Sequence, residues 1–487
     1  MGGKVGPAAR TRSLLTSAEA FRAAEQYMEA IAELERALDD EGAHDPALRA
    51  EILLRLADCH TGLNHHEETC RTLVPLLEQA PSPIWEARAM IRAGRALFYR
   101  HDLESAETLC REAALAVAPT IHHDDLAFAY QWLGNALQAQ GKIEGAAEAF
   151  RDAIAAAARS EDRARYGSCL GSLGCLDTAR SRYLDAVRSL ERCRDEVSGL
   201  GLRLEEARAN LHVSVCWMYL GDWKQTERTL DEALRIYSRM GNDSGEALAL
   251  IGRCRLEMRR ERREHARAAL DRARSLTRRA EYERLAMQVL IQEGDLRSNR
   301  GELEEAAPAY DEAGAGLLDV APGGDLAYSA TRRFAYVTSR LGDHVHARTL
   351  VAEARAGAVA ASNRREAAHC RLTEAQIEWR LGALERATML VEKAIQEFRA
   401  IRTPWELARA HEAAADIHRT DPMRERFHLN EAIRLRGRLG LDVDRLEKRL
   451  RRESSSVCAA DQVVATGPPM SHTLETARGL WRFDGCV

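Results

Sequence analysis

Small and large apolar residues alternate along this chain with a fixed beat. One stretch shows the order clearly: Gly134 and Leu137, a turn at Gly141, then Ile143, Ala146, Phe150 and Ala153. The central small residue recurs at Ala30, Thr69, Ala106, Ala146, Ala186, Thr226, Ala266, Ala306, Ala347 and Ala387, in steps of 39, 37, 40, 40, 40, 40, 40, 41 and 40. In an alanine-rich chain any single match is cheap. Ten matches at a near-constant step are not. Four residues after each centre stands another apolar side chain, as at Leu34, Leu73, Phe150, Leu190, Tyr310 and Val391. Seven after it comes Ala37, Ala113, Ala153, Ala233, Ala273, Ala313, Ala354 or Ala394.

Apolar residues at i, i+4 and i+7 make one stripe of a helix. Glycines at 141, 221, 301, 342 and 382 end a preceding helix by taking a left-handed conformation at little cost. The unit is therefore a helical hairpin, in which small residues let two helices approach and large ones fill gaps in the next unit. One hairpin cannot bury its own apolar face, so hairpins must stack. The predicted fold is all-α, a right-handed superhelical solenoid of about eleven antiparallel helix pairs over residues 11–440. Residues 1–10 are expected to be a disordered N-terminus, 441–452 an extension of the last helix, and 453–487 a mobile tail. That tail carries Leu480-Trp481-Arg482-Phe483, a short segment able to dock on a partner. Thr403-Pro404 with Glu406 reads as a capped helix start, and Asp421-Pro422 as the start of its partner helix.

Gly134, Leu137, Gly141, Ala146, Phe150 and Ala153 sit where the tetratricopeptide repeat family places its motif, and the chain closely resembles that family. Two departures stand out: a unit near 40 residues rather than the usual ~34, and a motif Trp and Pro that are mostly missing. Long units of this kind are similar to those in the sensor arms of large bacterial transcriptional regulators and in some adaptor proteins. The resemblance implies a concave groove lined by the first helix of each hairpin. Phasing on Gly134 brings inward Arg95, Phe98 and Tyr99; Gln131, Asn135 and Gln138; Met218 and Tyr219; Arg255, Met258 and Arg259; Asp295 and Asn299; Tyr336 and Arg340; and Gln376, Trp379 and Arg380. Arg, amide and aromatic side chains together suit an extended peptide. Asn135 matches a position where some family members hold a peptide carboxylate, but the lysines that would flank it are absent.

Composition narrows the function. The 487 residues are 45% hydrophobic, 30% charged and only 5% aromatic, with a formal net charge of −5. This excludes a disordered chain, disfavours an aromatic-rich β fold and shows no global basic excess for nucleic acid. Eleven dispersed cysteines, none in a C-x-x-C pair, suggest reduced thiols in the cytoplasm. No apolar run is long enough to span a membrane.

Catalytic signatures are missing: there is no phosphate-binding G-x-x-x-x-G-K-[ST] loop, no G-x-S-x-G elbow and no H-E-x-x-H helix. No enzyme activity and no cofactor are expected. His65-His66-Glu67-Glu68, His122-His123-Asp124-Asp125 and His344-Val345-His346 read as turns rather than metal ligands, with Asp124 and Asp125 capping a helix. Eleven arginines against four acidic residues crowd residues 253–279. They are read as ion-paired on solvated faces, with RNA as the competing use. The function expected is therefore that of a protein- or peptide-binding scaffold. A sensor arm for a small-molecule effector, lacking its ATPase and DNA-binding parts, is the alternative.

Overall fold

The computed structural model describes residues 7–451 except 24–25, 281–282 and 321–324. Residues 1–6 and the whole 453–487 segment, including its Leu-Trp-Arg-Phe motif, lie outside the described residues. Among the described residues, twenty-two α-helices form eleven pairs. They are α1 (Pro7–Ala23) with α2 (Tyr27–Asp39), α3 (Pro46–Gly62) with α4 (His66–Glu78), α5 (Pro83–Tyr99) with α6 (Leu103–Val117), and α7 (His123–Ala139) with α8 (Ile143–Ala157). Then come α9 (Arg163–Ala179) with α10 (Tyr183–Gly199), α11 (Arg203–Leu220) with α12 (Trp223–Arg239), and α13 (Asp243–Arg259) with α14 (Arg263–Ala280). The series ends with α15 (Glu283–Arg300) and α16 (Leu303–Val320), α17 (Asp325–Arg340) and α18 (His344–Ala360), α19 (Arg364–Arg380) and α20 (Leu384–Ala400), and α21 (Pro404–Ile417) and α22 (Pro422–Arg438). No strand occurs among the described residues. The architecture is the all-α, tetratricopeptide-like solenoid that the 40-residue beat predicts.

The beat maps onto the core. All ten central residues, from Ala30 to Ala387, are 0% exposed. They lie near the start of the second helix of each pair, and Leu34, Leu73, Phe150, Leu190, Leu230 and Val391 follow them into the interior. Opposite each large residue the first helix keeps a small one. A Cβ placed on Gly134 would sit 2.6 Å from the Phe150 ring, and one on Gly294 would sit 2.6 Å from Tyr310. The bulk of the second helix thus fills the notch left in the first.

Each turn within a pair from α3 to α20 contains one left-handed residue. Glycine supplies it at Gly141 (φ 74°) and Gly221 (φ 81°), but Asn64, His101, Ser181 and Glu261 do so elsewhere. The turn geometry therefore repeats even where the glycine signal does not.

First helices of neighbouring pairs also touch each other, as α5 does α7, α13 does α15 and α17 does α19. Second helices make no comparable contact among the described residues. First helices therefore crowd the inner side of the curve.

Three local expectations change. Helix α1 begins at Pro7, inside the ten residues expected to precede the solenoid. Residues 441–451 do not prolong the last helix, the role expected for 441–452: Gly440 turns at φ 65°, and a separate helix, α23, covers 444–451. Its Arg449 reaches back to Asp416 at 2.6 Å and Glu425 at 2.7 Å, and so pins it on the last pair. Thr403 precedes α21, but its hydroxyl donates to Phe398 O at 3.4 Å instead of capping the helix. Asp421 does cap α22, accepting from Arg424 N.

Candidate functional site

The solenoid bends tightly enough for its last pairs to return against its middle. Trp223 Nε1 donates to Leu439 O at 2.8 Å, across 216 residues of sequence. Beside it, Gly221 faces Leu439 and Pro404 so closely that a Cβ would meet them at 2.6 and 2.8 Å. Arg259 Nη2 donates to Glu406 Oε1 at 2.8 Å, and both side chains are buried. On the rim, Arg436 reaches Glu261 at 2.7 Å. The inner faces of α11 and α13 therefore press on α21, which divides the predicted groove.

That seam changes the role of the central groove residues. Tyr219 and Met218 are buried rather than displayed. The Arg259 guanidinium lies 4.4 Å from the Trp405 ring and 5.2 Å from Tyr219, and Arg365 lies 4.4 Å from the same tyrosine. Arg255 Nη2 donates to Tyr219 Oη at 2.5 Å. Burial pushes the Tyr219 phenol up, yet Arg255, Arg365 and Arg259 outweigh it and hold the group below its usual value. Met258 is half-buried and packs against the core around α13 and α14. Asp295 accepts from Tyr310 Oη at 2.7 Å and from Arg333 Nε at 2.9 Å, so it is a structural acceptor.

Further along, Arg332 Nε donates to Glu366 at 2.5 Å. Burial alone would raise the Glu366 carboxyl, but Arg332, Arg365 and Arg333 hold it at about 2. The same cations and burial drive His369 well below its ordinary value, so its imidazole is neutral. This inner network places Arg255, Arg259, Arg332, Arg333 and Arg365 against Asp295, Glu366 and Glu406. Arginine is in excess. Arg259 Nη1 and one oxygen each of Glu366 and Glu406 are buried without a hydrogen-bond partner.

Two flanking patches of the groove remain open. In the first, Tyr99 is 44% exposed and stacks on His66 at 4.8 Å. Phe98 and Tyr99 meet Trp132 edge-on at 5.6 and 5.7 Å, and the Arg95 guanidinium lies 5.4 Å from the Trp132 ring. Asn135 and Gln138 are half-buried nearby on α7. Gln131 is buried and donates to Ser168 and Ser172 at 2.8 and 3.1 Å, so its amide serves the wall of the groove. In the second, Arg340 and Arg380 bracket Tyr336 at 5.9 and 5.8 Å, and Arg380 also lies 5.8 Å from Trp379. Gln376 offers its carbonyl to Arg380 at 3.0 Å. Asn299 is exposed near the end of α15.

Phasing missed Trp405, Glu406, Arg365, Glu366, Arg332 and Arg333. A signal was present: Glu206, Glu246, Glu366 and Glu406 all fall in the first turn of a first helix, at multiples of 40 residues. Acidic residues there suit the helix dipole, which hides their other use as partners for buried arginine.

The arginines of 253–279 are mostly spoken for. Arg260 pairs with Glu227 at 3.1 Å, Arg267 with Asp271 at 3.1 Å and Arg274 with Glu293 at 2.6 Å. Arg253 pairs with Glu227 at 3.2 Å and also with Asp231, and Arg272 pairs with Glu246. The partners come largely from neighbouring helices rather than from i+4 positions. An RNA backbone would have to displace them. Asp125 is held by Arg88 at 2.8 Å and does not cap its helix. Cys175 and His212, both half-buried, interact in a way that no spacing signalled. Burial pushes the Cys175 thiol up, but His212 outweighs it and lowers the thiol, while Cys175 raises His212. The nine described cysteines are free. No described helix is long and apolar enough to cross a membrane.

No protein-family profile matches the chain, and no curated protein matches it in sequence. Solved structures do. The Rap protein complexed with competence and sporulation factor superposes with a TM-score of 0.54 and 14% identity, covering 76% of this chain and 100% of its own. The apo form of RapI gives 0.52 and 13%, covering 72% and 97%. At this identity the likeness establishes the fold. It offers no support for the regulator-arm reading.

Proposed function

We propose that the chain is a non-catalytic scaffold whose inner face takes up an acidic stretch of a protein or peptide. One contrast carries the reading. Many second-helix arginines, such as Arg111, Arg188, Arg274 and Arg348, are tied to carboxylates, whereas Arg95, Arg255, Arg340 and Arg380 on the first helices have no carboxylate at ion-pair distance among the described residues and rest instead on Trp132, Tyr219, Tyr336 and Trp379. A guanidinium backed by an aromatic ring keeps its hydrogen-bond donors aimed outward and pre-oriented for a carboxylate. Each charge-assisted hydrogen bond so formed contributes ~1.5–3 kcal/mol. Burial lowers Arg380 from its ordinary value, though Tyr336 opposes this, so an arriving carboxylate relieves a desolvated cation. A structural neighbour of the same fold was captured with competence and sporulation factor, which shows the fold can hold a bound factor.

The test is fluorescence anisotropy with labelled peptides of acidic, neutral and basic composition. Acidic peptides bind, and their affinity falls with salt. Arg340→Ala with Arg380→Ala weakens them about tenfold or more, in line with ~1.4 kcal/mol or more lost, while circular dichroism stays unchanged. Equal affinity for basic peptides, or indifference to both substitutions, would reject the proposal.

A further inference from the structure

Away from the groove, the last pairs gather three histidines and a glutamate. His411 lies on α21, His418 follows its last residue, His428 lies on α22 and Glu392 lies on α20. The histidines are 1%, 4% and 3% exposed. His428 Nε2 approaches Glu392 Oε1 to 3.3 Å, and its Nδ1 meets His411 Nδ1 at 3.0 Å. The His418 and His428 rings are parallel, 5.5 Å apart. One ligand atom from each of Glu392, His418 and His428 falls within 4.8 Å of the others. His411 Nε2 and His418 Nε2 are buried without a hydrogen-bond partner.

We propose that Glu392, His418 and His428 bind a divalent transition metal, with Zn²⁺ as the best fit. Imidazole with carboxylate is a zinc donor set, and a tetrahedral zinc with bonds of ~2.0–2.1 Å spaces its ligand atoms about 3.3–3.4 Å apart. The 3.3 Å between His428 Nε2 and Glu392 Oε1 matches that edge. A ligand atom of His418 lies within 4.8 Å of both. The fourth position falls to water. His411 stands behind the site: it accepts the His428 Nδ1–H, fixing the tautomer that leaves Nε2 free for metal. The Glu392 side chain is 45% exposed, which gives the ion a way in. Arg399 and Arg424 lie nearby and oppose a cation, but Glu431 and Asp421 offset them. His418 is buried with its Nε2 lacking a hydrogen-bond partner in the same cluster as Glu392 and His428, and a buried polar atom of this kind calls for a partner. A bound metal would supply it.

The experiment uses the full chain, stripped with chelator, and Zn²⁺ alone as probe, in competition with a chromophoric chelator. One equivalent binds and raises the melting temperature. Co²⁺ in its place gives visible bands of a nitrogen–oxygen site without thiolate charge transfer. Glu392→Gln, at a half-exposed position that the fold tolerates, weakens Zn²⁺ at least tenfold, and His428→Gln does the same. His122→Asn, in the other histidine–aspartate group, leaves binding unchanged. Absence of stoichiometric uptake, a thiolate band, or wild-type affinity in Glu392→Gln would overturn the assignment.

Discussion

The seam that closes the solenoid on itself makes a quantitative prediction. Arg259 and Glu406 are 9% and 0% exposed in their side chains, so solvent screens their attraction little. Removing one partner of such a pair leaves a buried charge uncompensated, at a cost of ~3–5 kcal/mol. Arg365 is also drawn to Glu406 and takes up part of the charge when Arg259 is lost, which places the loss near the low end. Arg259→Ala and Glu406→Ala should each destabilise closure by ~3 kcal/mol, a shift of about 150-fold in the closed-to-open ratio. The double variant should lose far less than the sum, giving a coupling of ~2–3 kcal/mol. The rim pair Arg436–Glu261 has one half-exposed partner and contributes only ~0–1 kcal/mol. The assay combines small-angle scattering with hydrogen exchange over α21 and α22. The single variants expand the particle and expose these helices to exchange, while circular dichroism keeps its helical signal. A coupling below about 0.5 kcal/mol, with unchanged scattering, would refute the idea that this pair holds the seam.

Further outcomes follow from the same geometry. Glu366 is held at about 2 against an ordinary 4.5. Its contribution to stability is therefore complete above about pH 4.5 and is lost as pH falls toward 2, ~3 kcal/mol in all. Glu366→Gln should flatten that part of an acid-denaturation profile, and an identical profile would contradict the assigned pairing. Gly134→Ala drives a Cβ into the Phe150 ring at 2.6 Å and should cost ~1–3 kcal/mol by overpacking, read as a lower melting temperature; Gly199→Ala, with nothing near it, should cost less. His101→Gly relieves a left-handed non-glycine residue at φ 63° and should gain up to ~1 kcal/mol, again by melting.

What was legible along the chain was whatever repeats. Ala146 and its equivalents occupy one environment ten times over, so their burial follows from periodicity alone. The pairing of helices follows for the same reason. What stayed hidden was whatever joins distant repeats. Glu406 looks like a helix-dipole residue of α21, and nothing local says that Arg259 waits for it across 147 positions. In the structure Arg340 and Arg380, which phasing put on one inward face with Tyr336 and Trp379, lie 5.9 and 5.8 Å from the Tyr336 ring, and Arg380 lies 5.8 Å from Trp379. Phasing misjudged Tyr219 and Arg259, because a straight repeat carries no record of how far the superhelix turns before meeting itself. The histidines of the last pair escaped notice because they come from α21, the turn after it and α22, and fall outside the repeat motif. The break between α22 and α23 rests on one residue, Gly440 at φ 65°, which the apolar pattern around it does not announce.

The central claim is that a partner binds along the inner face, through arginines left without carboxylates. Hydrogen exchange of the full chain, with and without a saturating acidic peptide, tests it most directly. Added protection should fall on α5, α7, α17 and α19, where Arg95, Arg340 and Arg380 lie. Protection confined to second helices such as α8, α14 and α18 would place the partner on the convex side and contradict the account.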